Sequence, residues 1–134
     1  FLLWGDFGVG KSGCAAILLK AALSKGIIGF WTTYEDYINS VMSDIYYDED
    51  TSFDDKCRRS PILVMDELIV RENSKQKETM IEVLIRHRLE KKRSTIITTN
   101  HSPSWLKEHH RSFFSLFNGH YSILEVKGHN FRIK

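Results

Sequence analysis

Apolar and polar positions fall in blocks along this chain, and the period within each block changes from one element to the next. FLLW, residues 1–4, is a short unbroken apolar run and reads as a buried strand. After a glycine-rich loop, KSGCAAILLKAALSKG, residues 11–26, reads as a helix. Cys14, Ala15, Ile17, Leu18, Ala21 and Ala22 make that helix apolar on most sides, so it is expected to be largely buried, with Gly26 as its stop. IIGFW, residues 27–31, reads as a second strand. Thr32 or Thr33 can cap the helix that follows, with Glu35 and Asp36 suited to its first turn and its end near Tyr47. An acidic, irregular stretch then runs to about Arg59.

PILVMDE, residues 61–67, is continuously apolar until it ends in two acids, the pattern of a strand buried on both faces. Residues 74–92 predict a long helix with Met80, Ile81, Leu84, Ile85 and Leu89 as its apolar stripe. STIITTN, residues 94–100, is a further apolar strand with a polar tip. Pro103 and Trp105 open a short helix, and residues 108–118 predict another, closed by Asn118-Gly119. YSILEV and NFRIK read as two late strands turned at Lys127-Gly128. This alternation predicts an α/β fold, a three-layer sandwich around a mostly parallel sheet, in which ligands bind at the carboxyl ends of the strands.

Length and composition narrow the picture. A chain of 134 residues supports one domain, 1–134, with a hydrophobic core. The first strand starts with nothing before it, so the chain is expected to be a piece of a longer protein. A net charge of +2 does not mark a nucleic-acid binder, but the charge is uneven: residues 35–55 are acidic and RHRLEKKR, residues 86–93, is basic. That basic run is either a site for a phosphate backbone or a solvated helix end. Cys14 and Cys57 lack metal spacing, and no apolar run approaches the roughly 20 residues that span a bilayer, which together suggest a reducing, cytoplasmic setting without membrane contact.

GDFGVGKS, residues 5–12, fits G-x-x-x-x-G-K-[ST] in full. In such a loop Gly5, Asp6, Phe7, Gly8, Val9, Gly10, Lys11, Ser12 and Gly13 wrap phosphates with backbone N–H groups at a helix N-terminus. Lys11 reaches the β- and γ-phosphates and Ser12 offers its hydroxyl to Mg²⁺. Asp66 can hold the Mg²⁺ shell, and Glu67 beside it can polarise an attacking water. Asn100, at the tip of the next strand, can bond the γ-phosphate or that water. A surface acid and a turn-forming Asn are the plain alternatives for Glu67 and Asn100. Arg88 falls on the apolar stripe of its helix, where it needs an acidic partner in the core or a subunit interface. The histidines show no zinc spacing.

These pieces, in this order, resemble the AAA+ ATPases: GDFGVGKS as Walker A, VMDELIV as Walker B and Asn100 as sensor 1. Within them, FWTTYEDYINSV, the long helix holding Arg88 and STIITTN are similar to the DnaC/DnaI helicase loaders and the IstB-like transposition helpers. The resemblance covers nearly the whole chain and implies a P-loop NTPase fold, an AAA+ core without a lid domain. It implies an ATPase using ATP and Mg²⁺, with Lys11, Glu67, Asn100 and Arg111 as catalytic residues. Arg111, in HHRSFFSLFNG, corresponds to an arginine finger that reaches the γ-phosphate in a neighbouring subunit; a surface Arg is its plain alternative. The implied partners are a replicative DNA helicase, single-stranded DNA and further copies of the chain, with basic residues at 86–93 and 107–111 as DNA contacts. Loaders often carry a second Arg about four residues after the finger; Ser115 stands there. An IstB-like helper shares all these residues. A phosphotransferase or nucleotide switch without a DNA role is the other class, and it has no need of the Asp66-Glu67 pair.

Overall fold

The computed structural model describes residues 1–48, 52–71 and 75–130. Five strands form one sheet in the order β2-β3-β4-β1-β5, and every pairing is parallel. They are β1 (Leu2–Trp4), β2 (Gly29–Thr33), β3 (Ile62–Leu68), β4 (Ser94–Thr99) and β5 (Ile123–Glu125). The helices are α1 (Lys11–Ser24), α2 (Tyr34–Tyr47), α3 (Phe53–Arg59), α4 (Lys75–Glu90), α5 (Pro103–His109) and α6 (Arg111–His120).

The handedness of parallel crossovers decides which face each helix covers. From β1 the chain steps across the sheet to β2, then returns through β3 and β4 and passes beyond β1 to β5. Crossovers are right-handed, so reversing direction moves the helix to the opposite face. α1 therefore lies on one face, and α2 to α6 pack on the other. Side-chain alternation shows the same division. Leu2, Leu63, Met65 and Ile97 join the larger core with Tyr37, Ile81, Leu84, Phe113 and Phe117. Their neighbours Leu3, Val64 and Ile96 pack against Ala15 of α1.

This arrangement corrects the expectation that α1 is largely buried. Only Lys11 and Ala15 are buried, while Ile17 is 68% exposed, because no second helix among the described residues flanks it. The second strand starts two residues later than its apolar run, leaving Ile27 and Ile28 exposed. Thr33 is the cap of α2, its Oγ1 accepting from the Asp36 amide at 3.0 Å. The stretch before Arg59, expected to be irregular, contains α3, braced by the Asp54–Arg58 and Asp55–Arg59 pairs one turn apart. α6 runs through Asn118-Gly119 to His120. Of the two late strands, β5 forms; of the second, NFRIK, Asn130 is outside any strand and 131–134 lie outside the described residues.

Arg88 is fully buried, and its partner is not the expected acid. Its Nη1 donates to the carbonyls of Cys57 (2.6 Å) and Ser60 (2.8 Å), Nη2 to that of Ser94 (2.7 Å), and Nε to Thr95 Oγ1 (2.8 Å). The guanidinium thus ties the end of α3 and the start of β4 to α4. Burial pushes its pKa down to about 10, which still leaves it charged at neutral pH.

Candidate functional site

Because β3, β4 and β1 are adjacent and parallel, their carboxyl ends open onto one edge of the sheet. A cavity of about 670 Å³ lies there, lined among others by Gly10, Lys11, Ser12, Glu67, Asn100 and His101. That is room for a nucleotide-sized ligand. The glycine loop enters it by backbone geometry. Gly10 takes φ 98°, a left-handed conformation open to glycine, and there starts α1 with neither a side-chain cap nor an acid in its first turn. The first N–H groups of a helix have no carbonyl partner within it, and with the helix dipole they favour an anion. Gly5 is required for a different reason: a Cβ there would overlap the Val126 carbonyl, which β5 carries past the loop.

Lys11 is buried, and its Nζ donates to the carbonyls of Gly5 (2.9 Å) and Asp6 (2.7 Å). The Ser12 hydroxyl donates to Asp66, 2.8 Å from Oδ1 and 3.0 Å from Oδ2. A hydroxyl and a carboxylate so placed form a hard-oxygen donor pair that fits Mg²⁺. Among the described residues no cluster of three or more His, Cys, Asp and Glu side chains could hold a metal ion. Such an ion would depend on phosphate oxygens and water for its remaining ligands. Glu67 and Asn100 are exposed and line the cavity.

The structure brings Phe7, Gly8, Gly10, Lys11, Ser12 and Gly13 to one cavity with Glu67 and Asn100, and Asp66 joins them through Ser12; Gly5, Asp6 and Val9 belong to the loop but are not among the described residues lining the cavity. It does not bring Arg111 among them: Arg111 begins α6, is exposed, and is not among the described residues lining the cavity. The two basic runs approach each other at one point, where Glu82 takes both Arg86 and Ser112, the neighbour of Arg111. Residues 91–93 sit beside the amino end of β4, where Arg93 donates to the Arg58 carbonyl, while Lys107 and Arg111 follow its carboxyl end.

Sequence reasoning missed the side chains that brace the far end of β3. Thr98 Oγ1 accepts from the Glu67 amide, Thr99 Oγ1 donates to the Leu68 carbonyl, and His101 Nε2 accepts from the Val70 amide. The polar run TTNH was the available signal, but its partners are known only once β3 and β4 are paired. His101 also stacks on Trp105, ring centroids 4.1 Å apart. Burial lowers its pKa below the ordinary 6.5, so the folded state resists protonation more than the unfolded chain. Its contribution to stability is therefore complete above about pH 6.5 and is lost as pH falls through the lower folded value. Thermal unfolding followed from neutral pH downward is expected to show a steeper loss in the natural chain than in His101→Gln.

The sequence profile of the family described as "IstB-like ATP binding protein" matches residues 1–134. The chain belongs to that family. Among solved structures, the IstB-like chain is similar to a DnaC helicase loader, at 28% identity and a TM-score of 0.83, over 95% of this chain and 77% of that one. It shares its fold with DnaI (16% identity, TM-score 0.76, 96% of this chain and 70% of that one). It also shares it with domain III of the Thermotoga maritima replication initiation protein DnaA (15% identity, TM-score 0.83, 95% and 54%). None of the curated proteins compared with it matches the sequence. The expected AAA+ fold of the DnaC/IstB branch is thus the observed one, and the IstB-like chain is an ATP-binding AAA+ domain. No helix among its described residues is long and apolar enough to cross a membrane.

Proposed function

We propose that this domain hydrolyses ATP to drive an assembly step of the helicase-loader kind, acting on single-stranded DNA and a replicative helicase. What carries this reading is the convergence of Lys11, Ser12, Asp66, Glu67 and Asn100 at adjacent strand tips, in a chain similar to a DnaC helicase loader. The loop amides and Lys11 hold the phosphates. Ser12 and Asp66 hold Mg²⁺, which when bound draws charge from the phosphate oxygens. Glu67 takes the proton of the attacking water while Asn100 orients it. The water oxygen bonds to the γ-phosphorus, and the bond to the bridging β–γ oxygen breaks, leaving ADP and phosphate.

Arg111 completes the site of a neighbouring copy, which accounts for its exposed place at the start of α6. The family description equally supports a transposition helper with the same chemistry. Glu67 beside Asp66 weighs against a phosphotransferase. The test is ATP turnover with and without single-stranded DNA, alongside particle mass. Turnover is expected to rise with DNA in an oligomer, and Arg111→Ala to lower it by about 10²-fold or more. A chain that stays monomeric with ATP and DNA, and whose Arg111→Ala variant turns over unchanged, would defeat the proposal.

A further inference from the structure

Backbone pairing between β3 and β4 contains an irregularity at the two acids. Met65 lies opposite Ile97, and Leu68 lies opposite Thr99. Asp66 and Glu67 therefore share the space across from Thr98 alone, which is a β-bulge. Met65 and Leu68 both enter the larger core, although residues three apart on a regular strand face opposite ways. The extra residue turns Asp66 and Glu67 together towards the face that carries α1 and the glycine loop. In a regular strand Glu67 would point away from Asp66, into the apolar core.

This turn needs a hold. Glu67 has φ 59°, a left-handed conformation that residues with a Cβ seldom adopt. Thr98 is 1% exposed, so its hydroxyl has no water to turn to. It accepts from the Glu67 amide at 2.9 Å and donates to Asp66 Oδ1 at 2.5 Å. One hydroxyl supplies one donor and an acceptor, and both are engaged here. We infer that Thr98 is a positioning residue, whose hydroxyl fixes the bulge at Glu67 and so aims that carboxylate at the attacking water. The inference rests on the ATP-hydrolysis reading above for its consequence in turnover, and on the bulge alone for its geometry.

The experiment compares Thr98→Val, which keeps the shape and removes the hydroxyl, with Thr98→Ser, which keeps the hydroxyl. At saturating ATP·Mg²⁺, Thr98→Val is expected to lower turnover by about 10- to 100-fold while nucleotide Kd stays within about threefold, and Thr98→Ser to restore turnover to within about threefold. Adding Thr98→Val to Glu67→Gln should cost little beyond Glu67→Gln, because the two act through one carboxylate. Amide exchange at Glu67, read by NMR on the nucleotide-free chain, should accelerate by about tenfold or more in the valine variant and not in the serine variant. Wild-type turnover and a still-protected Glu67 amide in Thr98→Val would overturn the inference. So would a loss that lies wholly in nucleotide affinity, since Thr98 would then serve Asp66 alone. If the natural chain shows no turnover under any condition, the hydrolysis reading fails while the exchange data still decide the geometry. Should Thr98→Val not fold, Thr98→Ala takes its place against Thr98→Ser.

Discussion

Replacing Glu67 by glutamine is expected to reduce ATP turnover by about 10²- to 10⁴-fold, the usual worth of a general base, while leaving nucleotide affinity nearly unchanged. Glutamine keeps the size of the side chain and removes its capacity to accept a proton. Glu67 lines the cavity but makes its backbone contact through Thr98, so the substitution leaves the bulge and the Ser12–Asp66 pair in place. Binding of a fluorescent ATP analogue should match the natural chain, and phosphate release should not. A variant that hydrolyses at the natural rate would mean that another group activates the water. A variant that fails to bind would mean that Glu67 belongs to the phosphate cradle.

The second large effect is on stability. Arg88→Met is expected to destabilise the fold by about 3 kcal/mol, because the buried Cys57 carbonyl would lose its charged donor and the part-buried carbonyls of Ser60 and Ser94 would lose theirs. Methionine fills much of the volume, so the loss would come from unmet acceptors more than from a cavity. Arg88→Lys should recover only part of it, since one ammonium cannot reproduce the forked geometry. Urea unfolding gives the measurement, as a lower midpoint with little change in slope. A midpoint within experimental error of the natural chain would show that the fork contributes nothing net.

The glycine loop, Asp66, Glu67 and Asn100 were legible in the sequence because each is a local pattern at the end of an apolar run. What escaped depends on pairing between distant segments. Thr98 reads as an ordinary strand threonine until β4 lies against β3 and the bulge falls opposite it. Arg88 suggested an ion pair, since an apolar stripe says that a charge is buried but not that backbone carbonyls surround it. The burial of α1 was overestimated because its apolar residues encircle the helix, whereas the direction of the crossovers leaves it flanked on one side only. The Asp and Arg residues of α3 recur at the spacing of one helical turn, which is the local mark of that helix.

The strand order has a consequence for how the molecule comes into being. β1 is early in the chain yet sits inside the sheet, with Leu2 opposite Ile97 of β4 and Ile123 of β5. Within this domain the glycine loop precedes the other elements in the chain, but the strand that anchors it has no sheet neighbour until β4 has been made. β2, β3 and β4 can pair among themselves first, and β1 closes the sheet by contacts that are distant in sequence, the slow kind to form. Within this domain nucleotide affinity therefore waits on the docking of β1 beside β4, contacts distant in sequence.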